Sequence, residues 1–310
     1  MAWFDQIKAK FVANVANMYL TENGFDVFNI FPKVNSRQIS GYIAKYTKED
    51  WLRIGTVNDY KRQGATESAG DDYTLGEQAY TLDEFAFHKD ISKDDRNEYD
   101  NPFDPVRDAV TFVMNRINRI LLYHMVSTFL TTGVWGTDSD QTSAQWDVKS
   151  SGVSTYDPVD AVISWKEAVE KTTGFTPNRM VISADAYHAL QGNTKIMDRM
   201  KTTSDKSITK QVLARLFDVD QFMVMNAVNS AGDDYMWTSS CLLFYAPSVA
   251  SKFNPSAGYN MLYKTGNMNV LTDRIPMRHL NNSLRIEAAV KIKPLVMATD
   301  LGVYGYNLNS

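Results

Sequence analysis

The chain has 310 residues, 44% of them hydrophobic and 22% charged, with a formal net charge of −4. That is an ordinary globular composition, with material for one large domain or two, and it lacks the basic footprint of a protein that wraps nucleic acid. Any contact with DNA is therefore expected to be weak or local, because affinity for phosphate comes mainly from Lys and Arg.

The first residues, Met1–Ala2–Trp3–Phe4–Asp5, carry no basic n-region, apolar h-region or cleavage site, and the product is read as soluble and cytosolic. Nowhere does the chain approach the roughly 18 uninterrupted apolar residues of a membrane span. Over residues 2–20, Trp3, Phe4, Ile7, Phe11, Val15 and Met18 recur at helical spacing and predict an amphipathic helix that straps onto the body or a neighbour. Its polar face has only two lysines, which argues against a membrane anchor. Asn23–Gly24 breaks the pattern, and Val27–Pro32 continues as an extended arm.

Residues 36–103 form a long half-polar run with no compact packing pattern. Strand-like segments at Ser40–Ile54 and Tyr73–Phe87 flank a turn-rich tip over 55–72, which predicts a hairpin. Each arm of about 20 residues would span on the order of 60 Å. That exceeds the diameter of a small domain, about 30 Å. Such a ribbon cannot bury itself and asks for a neighbour. Trp51, Arg53, Tyr60, Lys61, Arg62 and Tyr73 are the candidate contact residues, since Tyr, Trp and Arg dominate protein–protein hot spots. Stacking of single-stranded bases would use similar residues, but Asp59, Glu67, Asp71 and Asp72 disfavour it.

An acidic loop over 90–104 leads to a clearly written helix start. Asp104 can accept from free amides as N-cap, and Pro105 at the first helical position gives up an N–H that had no partner. Val106, Ala109, Val110, Val113, Ile117, Ile120, Leu121, His124 and Val126 carry the pattern to about Leu130. The predicted helix is about 39 Å long and suits a structural spine.

Residues 131–156 read as loop, and Asp157–Pro158 repeats the capping device for a helix ending near Gly174. After Pro177–Asn178, Arg179–Ile182 is a short buried strand, Ser183 or Asp185 caps a helix to Gln191, and Ile196–Met200 is another short helix. A further helix covers 207–217, and strands follow at Gln221–Met225, Tyr235–Trp237, Cys241–Tyr245 and Tyr259–Tyr263. Ser283–Tyr306 alternates with period 2, as a half-exposed strand does.

No phosphate-binding, dinucleotide, zinc-protease, C-x-x-C or nucleophile-elbow motif is present. The lone Cys241 excludes an internal disulfide, fits a reducing compartment and sits in an apolar run that suits core packing. His88, His124, His188 and His279 are scattered, none at ligand spacing to another. The pairs Asp71–Asp72, Asp94–Asp95 and Asp233–Asp234 fall in turn-rich loops, where solvation explains them. Asp138-x-Asp140-x-Thr142 fails as a calcium loop, with Ser143 where Gly is needed and Lys149 where Glu is needed. No cofactor, metal site or catalytic residue is assigned.

The order of arm, ribbon, spine helix, mixed central region and returning strands resembles the major capsid proteins of tailed bacteriophages, whose HK97-like shell fold encapsulins share. The stretch Pro177–Asn178–Arg179–Met180–Val181–Ile182–Ser183–Ala184–Asp185–Ala186–Tyr187–His188–Ala189–Leu190, followed by Ile196–Met197–Asp198–Arg199–Met200–Lys201, looks like that family's strand-then-helix segment. The resemblance implies an α+β fold with an N-terminal arm over 1–35 and an extended hairpin loop over 36–90. A peripheral domain would take 91–131 and 271–310, and an axial domain 132–270. It also implies a non-enzymatic shell protein that forms hexamers and pentamers of an icosahedral head around double-stranded DNA, in a virion assembled in the host cytoplasm. A separate scaffolding protein, a portal and a decoration protein are the implied partners, with only weak, non-specific contact to the packaged DNA and none to membrane. Some relatives form a Lys–Asn isopeptide bond from the hairpin. Lys61 stands at a suitable place but has no assignable asparagine, so a non-covalent grip is expected. The alternatives are an encapsulin-like compartment shell and a carboxylate-dependent hydrolase.

Overall fold

The computed structural model describes residues 29–45, 76–97, 104–150, 152–201, 208–229, 232–250, 255–264, 270–277 and 280–310. The amphipathic helix expected over 2–20 and the hairpin tip lie outside these residues. So do Trp51, Arg53, Tyr60, Lys61, Arg62 and Tyr73.

The strands are β1 (Lys33–Ser36), β2 (Ser40–Lys45), β3 (Gly76–Thr81), β4 (Asp83–Ile91), β5 (Thr137–Asp140), β6 (Lys149–Ser150) and β7 (Val153–Ser154). They continue as β8 (Arg179–Ser183), β9 (Gln221–Met225), β10 (Ser240–Phe244), β11 (Gly258–Tyr263), β12 (Val270–Met277), β13 (Ser283–Val296) and β14 (Gly302–Tyr306). The described helices are α1 (Lys93–Asn97), α2 (Pro105–Phe129), α3 (Pro158–Thr173), α4 (Ala184–Gly192), α5 (Thr194–Met200) and α6 (Lys210–Leu216).

Helix α2 is the predicted spine. Asp104 accepts from Val106 N at 2.9 Å and Arg107 N at 3.4 Å, and Pro105 follows it at the first position. Ala109, Val110, Val113, Met114, Ile117, Leu121, Met125 and Phe129 are buried at three- and four-residue spacing. They lie over a sheet in which β13 pairs antiparallel with β4, β11 and β12, and β1 runs parallel beside β11. From β13, Ile286, Ala288, Val290 and Ile292 are buried in the same core. Each large apolar side chain removed from water here contributes on the order of 1.5–3 kcal/mol.

The second sheet runs β5-β14-β10-β8-β9, and every residue of β8 and β10 is buried. The two sheets share one continuous core. Their junction is aromatic: Phe31 lies 4.4 Å from Phe129 and 4.7 Å from Phe244, ring centre to ring centre. Trp135 closes the group, donating Nε1–H to Phe129 O at 2.6 Å.

Four local expectations are corrected. Ser283–Tyr306 is not one strand: β13 ends at Val296, a short 3-10 turn spans Thr299–Leu301, and β14 enters the other sheet, between β5 and β10. Glycines make the switch possible, because a Cβ at Gly302 would strike the Trp135 ring and one at Gly305 would come within 2.7 Å of Trp165. Residues 131–156 are not all loop, since β5 pairs parallel with β14 and β6 with β7. Thr137–Asp140 is held by backbone pairing and has no apolar alternation to betray it. Tyr235–Trp237 forms no strand, only a single bridge from Tyr235 to Val228. The acidic stretch after Ile91 includes the short helix α1. Sheet membership also cuts across the linear boundary at 270/271, because β11 belongs to the spine sheet and β14 to the second one.

Candidate functional site

The motif around Pro177 is a set of structural fasteners. Asn178 donates Nδ2–H to Ala246 O at 3.1 Å and accepts from Ala246 N at 3.0 Å, closing the corner before β8. Arg179 is 6% exposed, and its guanidinium donates to Asn29 O at 3.1 Å, Ile30 O at 2.9 Å and Pro247 O at 3.3 Å. Burial lowers its pKa, with Asp220 acting the other way. This buried cation therefore pins the arm, where it reaches the body, to the second sheet. Asn193 is fully buried, caps α5 through Lys195 N at 3.0 Å, and donates to Trp146 O at 2.9 Å. Arg199 reaches back to Asp157, the N-cap of α3, at 2.7 Å.

The groups weighed for chemistry are occupied elsewhere. Cys241 is fully buried, and burial drives its thiol pKa far up, so it is a core residue. Asp140 accepts from the Thr142 hydroxyl at 2.6 Å, Thr142 N at 2.9 Å and Asn307 Nδ2 at 3.0 Å, which hold its pKa below the usual carboxylate value. Asp138 accepts from Gly133 N, and Asp233 and Asp234 bind Asn229 and Tyr235 N in a turn. Among the described residues no group of three His, Cys, Asp or Glu side chains is placed to hold a metal. His124 sits 5.3 Å from the Phe85 ring, its Nε2 buried without a partner, and burial lowers its pKa, as does Lys293.

What remains is surface. Among the described residues, strands β2 and β3 pair only with each other, register Ser40↔Thr81 to Lys45↔Gly76. That pair is fastened by a satellite core of Tyr80, Leu82, Tyr259, Met261, Leu295 and Met297. Gly41 is needed there, since a Cβ would lie 3.0 Å from the Tyr80 hydroxyl, which is itself bonded to Ser36 Oγ at 2.9 Å. Tyr42, by contrast, points outward at 72% exposure. The sheet face away from α2 is a charged ladder in which Arg285 grips Asp90 at 2.7 and 2.9 Å and Lys291 meets Glu84 at 3.3 Å. The Arg285 guanidinium holds the Asp90 carboxyl below its usual pKa. Tyr156, Ile163 and Met197 add half-open apolar groups around α3 and α5.

No family model matches the sequence. A major capsid protein of Burkholderia phage BcepMu is 25% identical over 249 residues, covering 77% of this chain and 78% of the phage protein. A solved phage-related protein from Bordetella bronchiseptica superposes with a TM-score of 0.70 at 19% identity, covering 96% of this chain and 97% of its own. A virus-like particle from Pyrococcus furiosus gives a TM-score of 0.55 at 8% identity, with 96% and 98% covered. The capsid structure of cyanophage P-SCSP1u gives 0.50 at 12%, with 91% and 87% covered. The fold is the HK97-like shell fold. In sequence the chain is similar to that phage capsid protein, and in fold to solved capsid and virus-like-particle structures.

Helix α2 lies over the first sheet, and β2 and β3 form a two-stranded pair beside it. Arg179 is readable only as part of a resemblance, because nothing in the sequence marks an arginine whose partners are three backbone carbonyls far along the chain. The satellite core under the ribbon was also missed. Its members come from β3, β11, β13 and the residues just after β3 and β13, and only the pairing brings them together.

Proposed function

We propose that the protein is the repeating subunit of an icosahedral head, forming hexamers and pentamers that enclose double-stranded DNA, with no catalytic role. The single observation that supports this is the ribbon root: β2 and β3 leave the body as a pair, anchored below by Tyr80 and open above at Tyr42. A two-stranded ribbon is marginal alone in water and gains stability by lying on another surface. Trp51, Arg53, Tyr60, Lys61, Arg62 and Tyr73 form the contact it makes on the adjacent subunit. A separate scaffolding protein and a portal complete the particle. Residues up to about 35 act as the arm, α2 and its sheet as the peripheral domain, and the second sheet with α3 to α6 as the axial domain.

Electron microscopy of the purified protein is the test. Shells or ring-shaped capsomers are expected, and joint replacement of Trp51, Tyr60 and Tyr73 by Ala should shift the population to monomer. A compact monomer under all conditions, in the presence of scaffolding protein as well, overturns the reading.

A further inference from the structure

A groove of about 820 Å³ opens where the arm over 29–33, helix α6, strand β9 and the segment 248–250 meet. Three cations line it, Lys33, Arg179 and Lys210, against one carboxylate, Asp220, which accepts from Asn178 Nδ2 at 3.2 Å. Segments 29–36, 208–217 and 244–250 contain no Asp or Glu, so those walls add nothing that offsets the cations. The excess of positive charge is set on a chain whose net charge is −4. Arg179 is its fixed point, 6% exposed and bonded to the carbonyls of Asn29, Ile30 and Pro247. Neutral acceptors hold the guanidinium in place without cancelling its charge. Lys210, by contrast, stands exposed on α6.

Strand β9 adds a backbone edge to the same groove, which it lines over Gln221–Met223. It runs parallel to β8, and Gln221 N donates to Asn178 O at 3.3 Å. Gln221, Met223 and Met225 therefore turn their backbone groups toward β8, and Phe222 and Val224, alternating with them, turn theirs away. Among the described residues no strand pairs with β9 on that second side. Such an edge is a template for another extended chain. Apolar groups stand beside the charges: Phe31 and Met223 line the groove, and Val249 is 73% exposed.

We infer that this groove docks an extended acidic segment of a second, different protein, added as a strand along β9. Its backbone pairs with Phe222 and Val224, its carboxylates meet Lys210 and Arg179, and its apolar side chains lie against Val249 and Phe31. Nucleic acid matches the charge alone, since it has no ladder of N–H and C=O groups to pair with a strand edge. A second copy of this chain matches less well among the described residues, because the acids of its extended strand β4 are already held by Arg285, Lys291 and Lys293. The inference stands whether or not the subunits form a head.

The test is binding of an end-blocked, fluorescent peptide of alternating Glu and Val, about eight residues long so that it spans the edge of β9. Anisotropy on the intact protein is the readout. Lys210→Glu should weaken binding about tenfold, since hydrogen bonds to charged groups are worth at least that much. Lys149→Glu, the same change of charge on β6 outside the groove, should leave it unaltered. Methylating the peptide's backbone nitrogens should abolish binding, and the unmodified peptide should slow hydrogen exchange at Phe222 and Val224. No binding by the unmodified peptide, equal effects of the two lysine variants, full binding of the methylated peptide, or unchanged exchange along β9 overturns the inference. So does displacement of the peptide by an equal concentration of oligothymidylate, which would make the groove a nucleic-acid site. Loss of binding whenever subunits associate also overturns it, by making the groove an interface between copies of this chain.

Discussion

Strands β8 and β10 are buried at every position, whereas β13 alternates between buried and half-buried residues along most of its length, and β4 exposes Glu84, Ala86, His88, Lys89 and Asp90. The inner strands β8 and β10 of one sheet are closed on both faces. The other is covered by α2 on one side and left with a charged ladder on the other. Continuous apolar runs mark strands buried on both faces, and alternation marks strands with one face free. The difference separates strands closed on both faces from a layer with one face open. The β2–β3 pair packs beside this open layer, on Tyr259, Met261 and Leu295, from β11 and β13.

The sharpest way to break this contrast is a matched pair of truncations. Leu243→Ala, at a fully buried position of β10, should cost about 3 kcal/mol in the unassembled protein, read by denaturant titration. Ile275→Ala, 40% exposed on β12 in the open layer, should stay within about 0.5 kcal/mol. Equal losses would mean that the two sheets are not distinct in the way their burial indicates. A smaller effect is expected at the helix start, where Asp104→Ala removes the acceptor for Val106 N and Arg107 N and should cost about 1 kcal/mol. Replacement by Ser or Asn should recover most of it.

The smallest effect is a pH dependence at His124, between α2 and its sheet. Burial lowers its pKa in the folded state, so the unfolded chain takes up the proton first. Stability is then highest above the unfolded value, about 6.5, and falls as the pH drops below it. Thermal melts of the unassembled protein should show that decline, and His124→Phe should flatten it. A melting temperature that rises on acidification through this range would contradict the buried, unpartnered Nε2.

Much of this could be read locally. Asp104–Pro105 and Asp157–Pro158 declared their helices because capping involves neighbours in sequence, and both aspartates do accept the predicted amides. Cys241 was placed in the core by the apolar run around it. The switch of the C-terminal strands was not legible, because β13 and β14 are both strands and only Gly302 and Gly305, packed under Trp135 and Trp165, record the change of sheet. β5 escaped because Thr-Asp-Ser-Asp reads as a turn and becomes a strand only when β14 supplies its hydrogen bonds.

The sequence by itself determined the elements whose causes are near in the chain: the long helix with its cap and apolar stripe, and the buried strand before α4. The tertiary structure alone decided which carboxylates Arg285 and Lys291 meet, where Arg179 finds its three carbonyls, and how the β2–β3 pair is held. The physical reason is distance along the chain. Caps and periodic faces act over a few residues, whereas ion pairs such as Arg285 with Asp90 join residues nearly two hundred apart, and no local pattern can encode them.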